Sequence, residues 1–294
     1  MTFSEKLKSA RKAAGMSQEL FAEKLGVSRQ AVTKWETDRE IPELENMILI
    51  ARLFGLTVDE LLSLERAAVC KDYLYESRTE YDVDGKKRFD LKLGGARQLR
   101  VVGTSCEKMT IRLASDDFPA LDADFKVKID DVKGRIDAEI RRRNGRTQAS
   151  AKESLALEVF LPNRYLSRVE LEADCDELCF QNMQCENLDF HGKAKRVFAD
   201  ATEAALALDC SVDMDVRVKD FSGSLEINQL SSTSRLTVPD NFAFQSLVKG
   251  LSSSVSYEMN GLVAEDFSSP DADNIVELNG LKSELVIVKE GAQG

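Results

Sequence analysis

Short triplets with apolar first and third residues recur at intervals of about nine to eleven residues through the C-terminal half of the chain. Every second triplet therefore returns after about 19 residues, which is too short an interval for a strand plus a helix. Two brief strands per coil instead predict a β-solenoid or flattened β-roll, in which neighbouring coils complete one another's core. The triplets are residues 169–171, 178–180, 188–190, 197–199, 206–208, 214–216, 225–227 and 236–238.

The preceding segment also alternates apolar and polar residues, in runs of strand length bounded by Gly, Asp or Asn. Such runs occupy residues 99–102, 109–113, 125–129 and 136–140. Asp84-Gly85 favours a tight turn, so we expect residues 79–83 and 86–91 to form a β-hairpin. The sequence thus predicts an all-β domain over residues 79–294, joined by a linker at 67–78.

The first 66 residues follow a helical period instead. We expect a first helix with Arg11 on its polar side, a second helix capped by Ser17, and a tight turn at Gly26. Ser28 then caps a third helix beginning at Arg29. The whole chain is therefore predicted to be a multidomain α and β protein.

Residues 16–36 closely resemble the helix-turn-helix of Cro/C1-type (XRE family) bacterial and phage repressors. The likeness continues through residues 41–44 and 53–62. It implies a five-helix, lambda-repressor-like domain over residues 1–66 that places its third helix in the major groove of double-stranded DNA. The C-terminal region, from residue 157 onward, resembles adhesin-like β-strand-repeat domains, which adds a fold and no function.

The predicted DNA contacts divide into two sets. On the third helix, the spacing of Val32 and Trp35 predicts a buried stripe, which leaves a polar face for reading base edges. We expect base contacts from Arg29, Gln30, Thr33 and Lys34. The resemblance places phosphate contacts at Gln18, Thr37 and Arg39; Ser17 is grouped with them, although its hydroxyl fits a helix cap better. Glu36, Asp38 and Glu40 make the following loop less positive than is usual for DNA binding.

The net charge of −11 argues against a broadly basic DNA-binding surface. Residues 1–65 carry nine Lys or Arg against eleven Asp or Glu, so a DNA contact must rely on a locally positive face. The N-terminus has no apolar signal core, and the chain has no apolar run of membrane-spanning length, so we expect a cytoplasmic protein without a membrane partner.

Neither a catalytic site nor a metal or cofactor site is predicted. Cys175, Cys179 and Cys185 lack paired metal-ligand spacing, so we expect buried, inert thiols. His191, the single histidine, is expected on the surface with nothing nearby to orient it. The run at residues 141–146 is expected to be a solvated hairpin tip.

The leading interpretation is a transcription regulator acting as a homodimer, because pairing half-sites is the usual route to specificity. Its β domain is assigned oligomerisation, binding of a partner protein, or signal sensing. The alternative is a protein-interaction scaffold whose helix-turn-helix domain is vestigial or only a tether. An enzyme is the least supported class.

Overall fold

A computed structural model describes residues 7, 8, 11, 16–37, 40–54 and 73–290. The chain divides into two compact units on either side of residue 72. Of the predicted last helix of the first domain, residues 53–62, the structure describes only Leu53 and Phe54. Arg39 also lies outside the described residues.

The helical unit contains α1 (Gln18–Leu25), α2 (Arg29–Trp35) and α3 (Leu44–Phe54). Helices α1 and α2 are the second and third helices predicted from the sequence. Leu7, Lys8 and Arg11 are also helical, where the first helix was predicted. Gly26 ends α1 in the left-handed conformation, with φ of 68°, and its amide bonds back to the helix.

A single hydrophobic core fixes the orientation of these helices. The Phe21 ring stacks on Phe54 with centroids 5.4 Å apart. Val32 and Trp35, on α2, are 0% and 5% exposed, so the predicted buried stripe is confirmed. The core residues are Leu7, Phe21, Ala22, Leu25, Val32, Trp35, Ile50 and Ala51.

The second unit is a large β-sheet domain. Its helices are short, α4 (Leu121–Asp124) and α5 (Gln148–Ser154), with one 3-10 turn at Asn163–Tyr165. Its strands are β1 (Tyr75–Asp82), β2 (Lys87–Thr104), β3 (Lys108–Ser115), β4 (Phe125–Val132), β5 (Arg135–Arg142), β6 (Ala156–Pro162), β7 (Leu166–Gln181), β8 (Gln184–Lys193), β9 (Arg196–Cys210), β10 (Asp215–Leu230), β11 (Thr233–Pro239), β12 (Phe244–Leu251), β13 (Ser254–Met259), β14 (Leu262–Ala264), β15 (Asn274–Leu281) and β16 (Glu284–Glu290).

Parallel pairing dominates this domain, and it follows the 19-residue repeat of the sequence. In the β9–β10 ladder, Val197 lies beside Val216 and Leu206 beside Leu225. β7 pairs with β8 and with β9 at the same 19-residue offset, as Val169 beside Leu188 illustrates. Each predicted triplet falls on a strand except for Met214, which directly precedes β10, and β7, β9 and β10 each carry two triplets along one long strand.

The Asp84-Gly85 hairpin prediction is wrong. β1 pairs antiparallel with β3, whereas β2 pairs with β5, β6 and β7. Asp84-Gly85 therefore connects two strands that are not neighbours, because β2 joins the parallel sheet. β1 also begins at Tyr75, inside the predicted linker.

Candidate DNA interface

The polar face of α2 is exposed where the sequence predicted base contacts. Arg29, Gln30, Thr33 and Lys34 are all exposed and, together with Ser28, line one shallow surface depression. Positions i, i+1, i+4 and i+5 share one side of a helix, so these four side chains project together. The buried Val32 and Trp35 hold the opposite side of α2 against the core. The predicted base-contacting residues thus form one continuous surface.

The start of α2 is fixed by a side-chain cap. The Ser28 Oγ accepts a hydrogen bond from the Ala31 amide at 3.1 Å, as predicted. The Ser17 Oγ caps α1 in the same way, accepting from the Leu20 amide at 3.1 Å. Ser17 is exposed, but its position in the fold is explained by capping alone.

We call the polar face of α2, formed by Arg29, Gln30, Thr33 and Lys34, the recognition face. Each of its two cations lies beside a carboxylate of the helical unit. Arg29 Nη1 is 2.8 Å from Glu19 Oε1, and Lys34 Nζ is 2.6 Å from Glu40 Oε1. The four side chains are between 49% and 63% exposed, so solvent screens both pairs and each contributes little to folding. The same carboxylates do reduce the positive potential that a phosphate backbone would meet.

Gln18 is held within the protein in this structure. Its Nε2 donates to Glu36 Oε2 at 2.8 Å, and its Oε1 accepts from the Thr33 hydroxyl at 3.4 Å. The side-chain amide of Gln18 therefore links the start of α1 to the recognition face, and a phosphate contact through it would require rearrangement. Thr33 also donates to the Arg29 carbonyl at 3.0 Å, and Thr37 donates to the Thr33 carbonyl at 2.8 Å.

A buried ion pair behind the interface was missed by the sequence reasoning. Arg11 was expected on a polar surface, yet its guanidinium donates two hydrogen bonds to Glu36, at 2.6 and 3.0 Å. The side chains of Arg11 and Glu36 are 9% and 1% exposed. Glu36 is therefore not a charge of the loop that faces DNA. The available signal was position, because Arg11 follows the buried Leu7 by one helical turn.

The protonation of Glu36 reflects competing effects. Burial raises the pKa of this carboxyl, but hydrogen bonds from Arg11 and Gln18 outweigh burial and bring the pKa below its usual value. The hydrogen bond to Glu36 raises the pKa of Arg11 in turn. Both groups therefore stay charged at neutral pH, and α2 is joined to the first helical segment by a fixed ionic contact.

Of the three cysteines expected to be buried, Cys175 is buried, whereas Cys179 and Cys185 are partly buried. Cys175 is fully buried in β7, and burial raises the pKa of its thiol to about 12. Burial likewise raises the pKa of the Cys185 thiol to about 12. Within the described part of the chain, no group of three or more His, Cys, Asp or Glu side chains has a metal-binding arrangement.

Two other expectations need correction. His191 is half exposed, but its Nδ1 lies 2.7 Å from Asp209 Oδ2, so a neighbouring carboxylate does orient it. The arginine run at 141–146 is not a solvated tip throughout, because Arg146 pairs with the buried Asp124 and lies 4.3 Å from the ring centre of Phe118.

Comparison with known proteins matches the helical unit to a characterised family. A family model described as "Helix-turn-helix" matches residues 7–61. The HTH-type transcriptional activator BcrR of Enterococcus faecalis is 45% identical over 65 residues, which are 22% of this chain and 32% of BcrR. The uncharacterized HTH-type transcriptional regulator YobD of Bacillus subtilis is 31% identical over 62 residues, 21% of this chain and 55% of YobD.

Comparison with solved structures finds matches of low sequence identity. A Clostridium sporogenes structure described as a cell adhesion protein matches 74% of this chain and 99% of its own, with 13% identity and a TM-score of 0.38. None of the helices described in the structure is long and apolar enough to cross a membrane.

The relatives matched in sequence are named as transcription regulators, and this chain spans between about a third and just over half of their length. Residues 7–61 of this chain therefore match a helix-turn-helix domain, and the relatives that share this segment are named as transcription regulators.

Proposed function

We propose that this protein is a sequence-specific transcription regulator that binds a two-fold operator as a dimer. The observation that carries the proposal is the exposed polar face of α2, backed by the buried Val32 and Trp35. A helix with this arrangement fits the major groove with its polar side toward the bases. The net charge of −11 does not exclude such a contact, because binding depends on the charges nearest the duplex, and this face carries Arg29 and Lys34.

The chemistry of the four exposed side chains assigns their roles. Arg29 can donate two hydrogen bonds to guanine, and Gln30 can both donate to and accept from adenine. Lys34 can reach guanine or a phosphate, and Thr33 can contact a thymine methyl group. A good bidentate contact discriminates against the wrong base by about 1–3 kcal/mol.

The phosphate contacts are proposed at Gln18, Ser17, Thr37 and Arg39. Gln18 would release Glu36 or offer its backbone amide at the start of α1, where the helix dipole favours an anion. The Thr37 hydroxyl is directed to α2 carbonyls in the free protein, so its contact too would need a rotation of the side chain.

We also propose that residues 79–294 form a β-solenoid that holds two copies together or binds a partner protein. Parallel neighbours at a 19-residue offset support coils of that length. The DNA-binding module at 1–66 is part of the same proposal, whereas the predicted linker at 67–78 overlaps β1, which begins at Tyr75.

The test is DNA binding by the full chain and its variants, with a duplex chosen by selection from random sequences. We expect Gln30→Ala combined with Lys34→Ala to weaken binding at least about tenfold at unchanged thermal stability. Lys24→Ala is the matched control, because Lys24 is exposed on α1 outside the depression. Affinity must fall steeply as salt rises. Unchanged binding by the double variant, or binding that is insensitive to salt, would favour the scaffold interpretation.

A further inference from the structure

Strand β12 leaves one end of the β domain open. Within residues 73–290, β12 pairs with β15 as its only strand partner. The Phe244 carbonyl at its start accepts from the Ser269 amide, and the rest of its other edge faces no strand. Ile227, Leu278 and Val248 are neighbours in register across β10, β15 and β12. The first two are fully buried, whereas Val248 is 46% exposed. The apolar row that fills the core therefore reaches solvent at β12.

The outward side of the same corner is apolar as well. Leu230, Leu281 and Leu251 are register neighbours on β10, β15 and β12. They are 55%, 43% and 73% exposed. Leu247, also on β12, adds a fourth exposed leucine. Together with Val248 these residues form what we call the β12 patch.

Other edges of the domain are protected in ways that β12 is not. β1 has the sequence YESRTEYD and β4 has FKVKIDDV, so both carry several charged residues. β14 is only three residues long, and it covers the neighbouring end of the sheet by pairing with β13. Charged and short edge strands are the usual protection against pairing with another chain. β12 is eight residues long and has the sequence FQSLVKGL.

Charge makes this edge suited to a second copy of the same chain. Two copies with a net charge of −11 each repel one another, and β12 contains no carboxylate. Its one charged residue, Lys249, lies 2.8 Å from Glu277 of β15. The β12 patch is therefore neutral on an acidic molecule, and the acidic segment 265–273 contacts β12 at its start, through Phe244 and Gln245.

We propose that two copies of this chain pair through β12, antiparallel and about a two-fold axis that passes beside Val248. This pairing places Val248 of one copy against Val248 of the other. The apolar row of Ile227, Leu278 and Val248 then continues from one copy into the next. A two-fold axis beside Leu247 or Lys249 would also keep the inward-facing residues of both copies on one face of the sheet. The axis beside Lys249 would place two lysines opposite each other, which is unfavourable. The closed two-fold contact suits a dimer on a two-fold operator, so the inference deepens the proposed function and rests on it.

The experiment measures the mass of the full chain in solution without DNA, by light scattering after gel filtration. We expect twice the 32.7-kDa chain mass for the wild type. Val248→Glu places two carboxylates together at the axis and should raise the dimer dissociation constant about tenfold or more. Val132→Glu is the matched control, since Val132 is 55% exposed on β4 and should leave the mass unchanged.

A cross-linking variant keeps the proposal testable if Val248→Glu unfolds the domain. In a background with Cys70 and the exposed Cys106 changed to Ser, Val248→Cys should form a disulfide between copies on mild oxidation, and Val132→Cys should not. A monomeric wild type, or a dimer that resists Val248→Glu and fails to cross-link through Val248→Cys, would overturn the proposal. A monomer that instead binds extended peptides would assign the edge to a partner protein. Because DNA is absent, failure of this dimer is separate from failure of operator binding.

Discussion

Removing the charge of Arg11 tests how much the buried ion pair with Glu36, at the end of α2, stabilises the helical unit. In Arg11→Met, the Glu36 carboxylate stays buried, with its side chain 1% exposed, and loses its guanidinium partner. Removing one member of a buried ion pair costs about 3–5 kcal/mol. A domain of this size has a total stability of roughly 3–10 kcal/mol at about 0.05–0.15 kcal/mol per residue. The variant should therefore leave the helical unit barely folded.

The single tryptophan provides a selective assay. Trp35 lies in the core of the helical unit and is the only Trp of the chain, so its fluorescence during urea unfolding reports that unit and not the β domain. Arg29→Met is a matched control, because Arg29 belongs to an exposed pair and should cost less than about 1 kcal/mol. Arg11→Met combined with Glu36→Leu should recover most of the loss, since no buried charge remains.

The pH dependence has a defined sign. The folded-state pKa of Glu36 is lowered, so its stabilising contribution is complete above the unfolded pKa and is lost as pH falls through the folded pKa. Wild type should therefore lose stability toward acid pH more steeply than the double variant. A cost below about 1 kcal/mol for Arg11→Met at neutral pH would refute the reasoning.

Three further predictions concern separate parts of the chain. Glu19→Gln should tighten operator binding a few-fold, because it removes a negative charge beside Arg29. A binding titration at fixed salt measures this, and weaker binding by the variant would contradict it. Gly223→Ala should destabilise the β domain by at least about 2 kcal/mol, because φ is 129° and the new Cβ would lie 2.2 Å from the Ala204 carbonyl oxygen. Gly85→Ala is the control, since a Cβ there has open space, and equal urea midpoints for the two variants would contradict the prediction. In the native protein, Cys175 should resist an alkylating reagent that labels the exposed Cys106, because burial raises the pKa of the Cys175 thiol to about 12. Equal labelling rates for the two cysteines by mass spectrometry would contradict the burial of Cys175.

The sequence predicted what depends on local pattern. Caps at Ser17 and Ser28 follow from side chains that bond amides three residues ahead, and the buried stripe of Val32 and Trp35 follows from helical period. The strand triplets were found because their spacing repeats. These features are fixed within a few residues, so a single sequence is sufficient to reveal them.

Long-range partners could not be predicted in the same way. Arg11 and Glu36 are 25 residues apart, so the position of Arg11 one helical turn after Leu7 indicates its side of the helix but not its partner. The Asp84-Gly85 prediction failed for a related reason, because turn chemistry was favourable but β2 gains more neighbours inside the parallel sheet. The ion pairs that Arg29 and Lys34 form also depend on tertiary placement.

Selection of bound duplexes from a random pool, carried out in parallel with the wild-type chain and with Gln30→Ala, tests base reading by α2 most directly. The account predicts a wild-type motif of two inverted half-sites about one helical turn apart, and loss of preference at one base pair in each half-site for the variant. Enrichment of no motif by the wild type, or the same motif at full strength from both proteins, would contradict it.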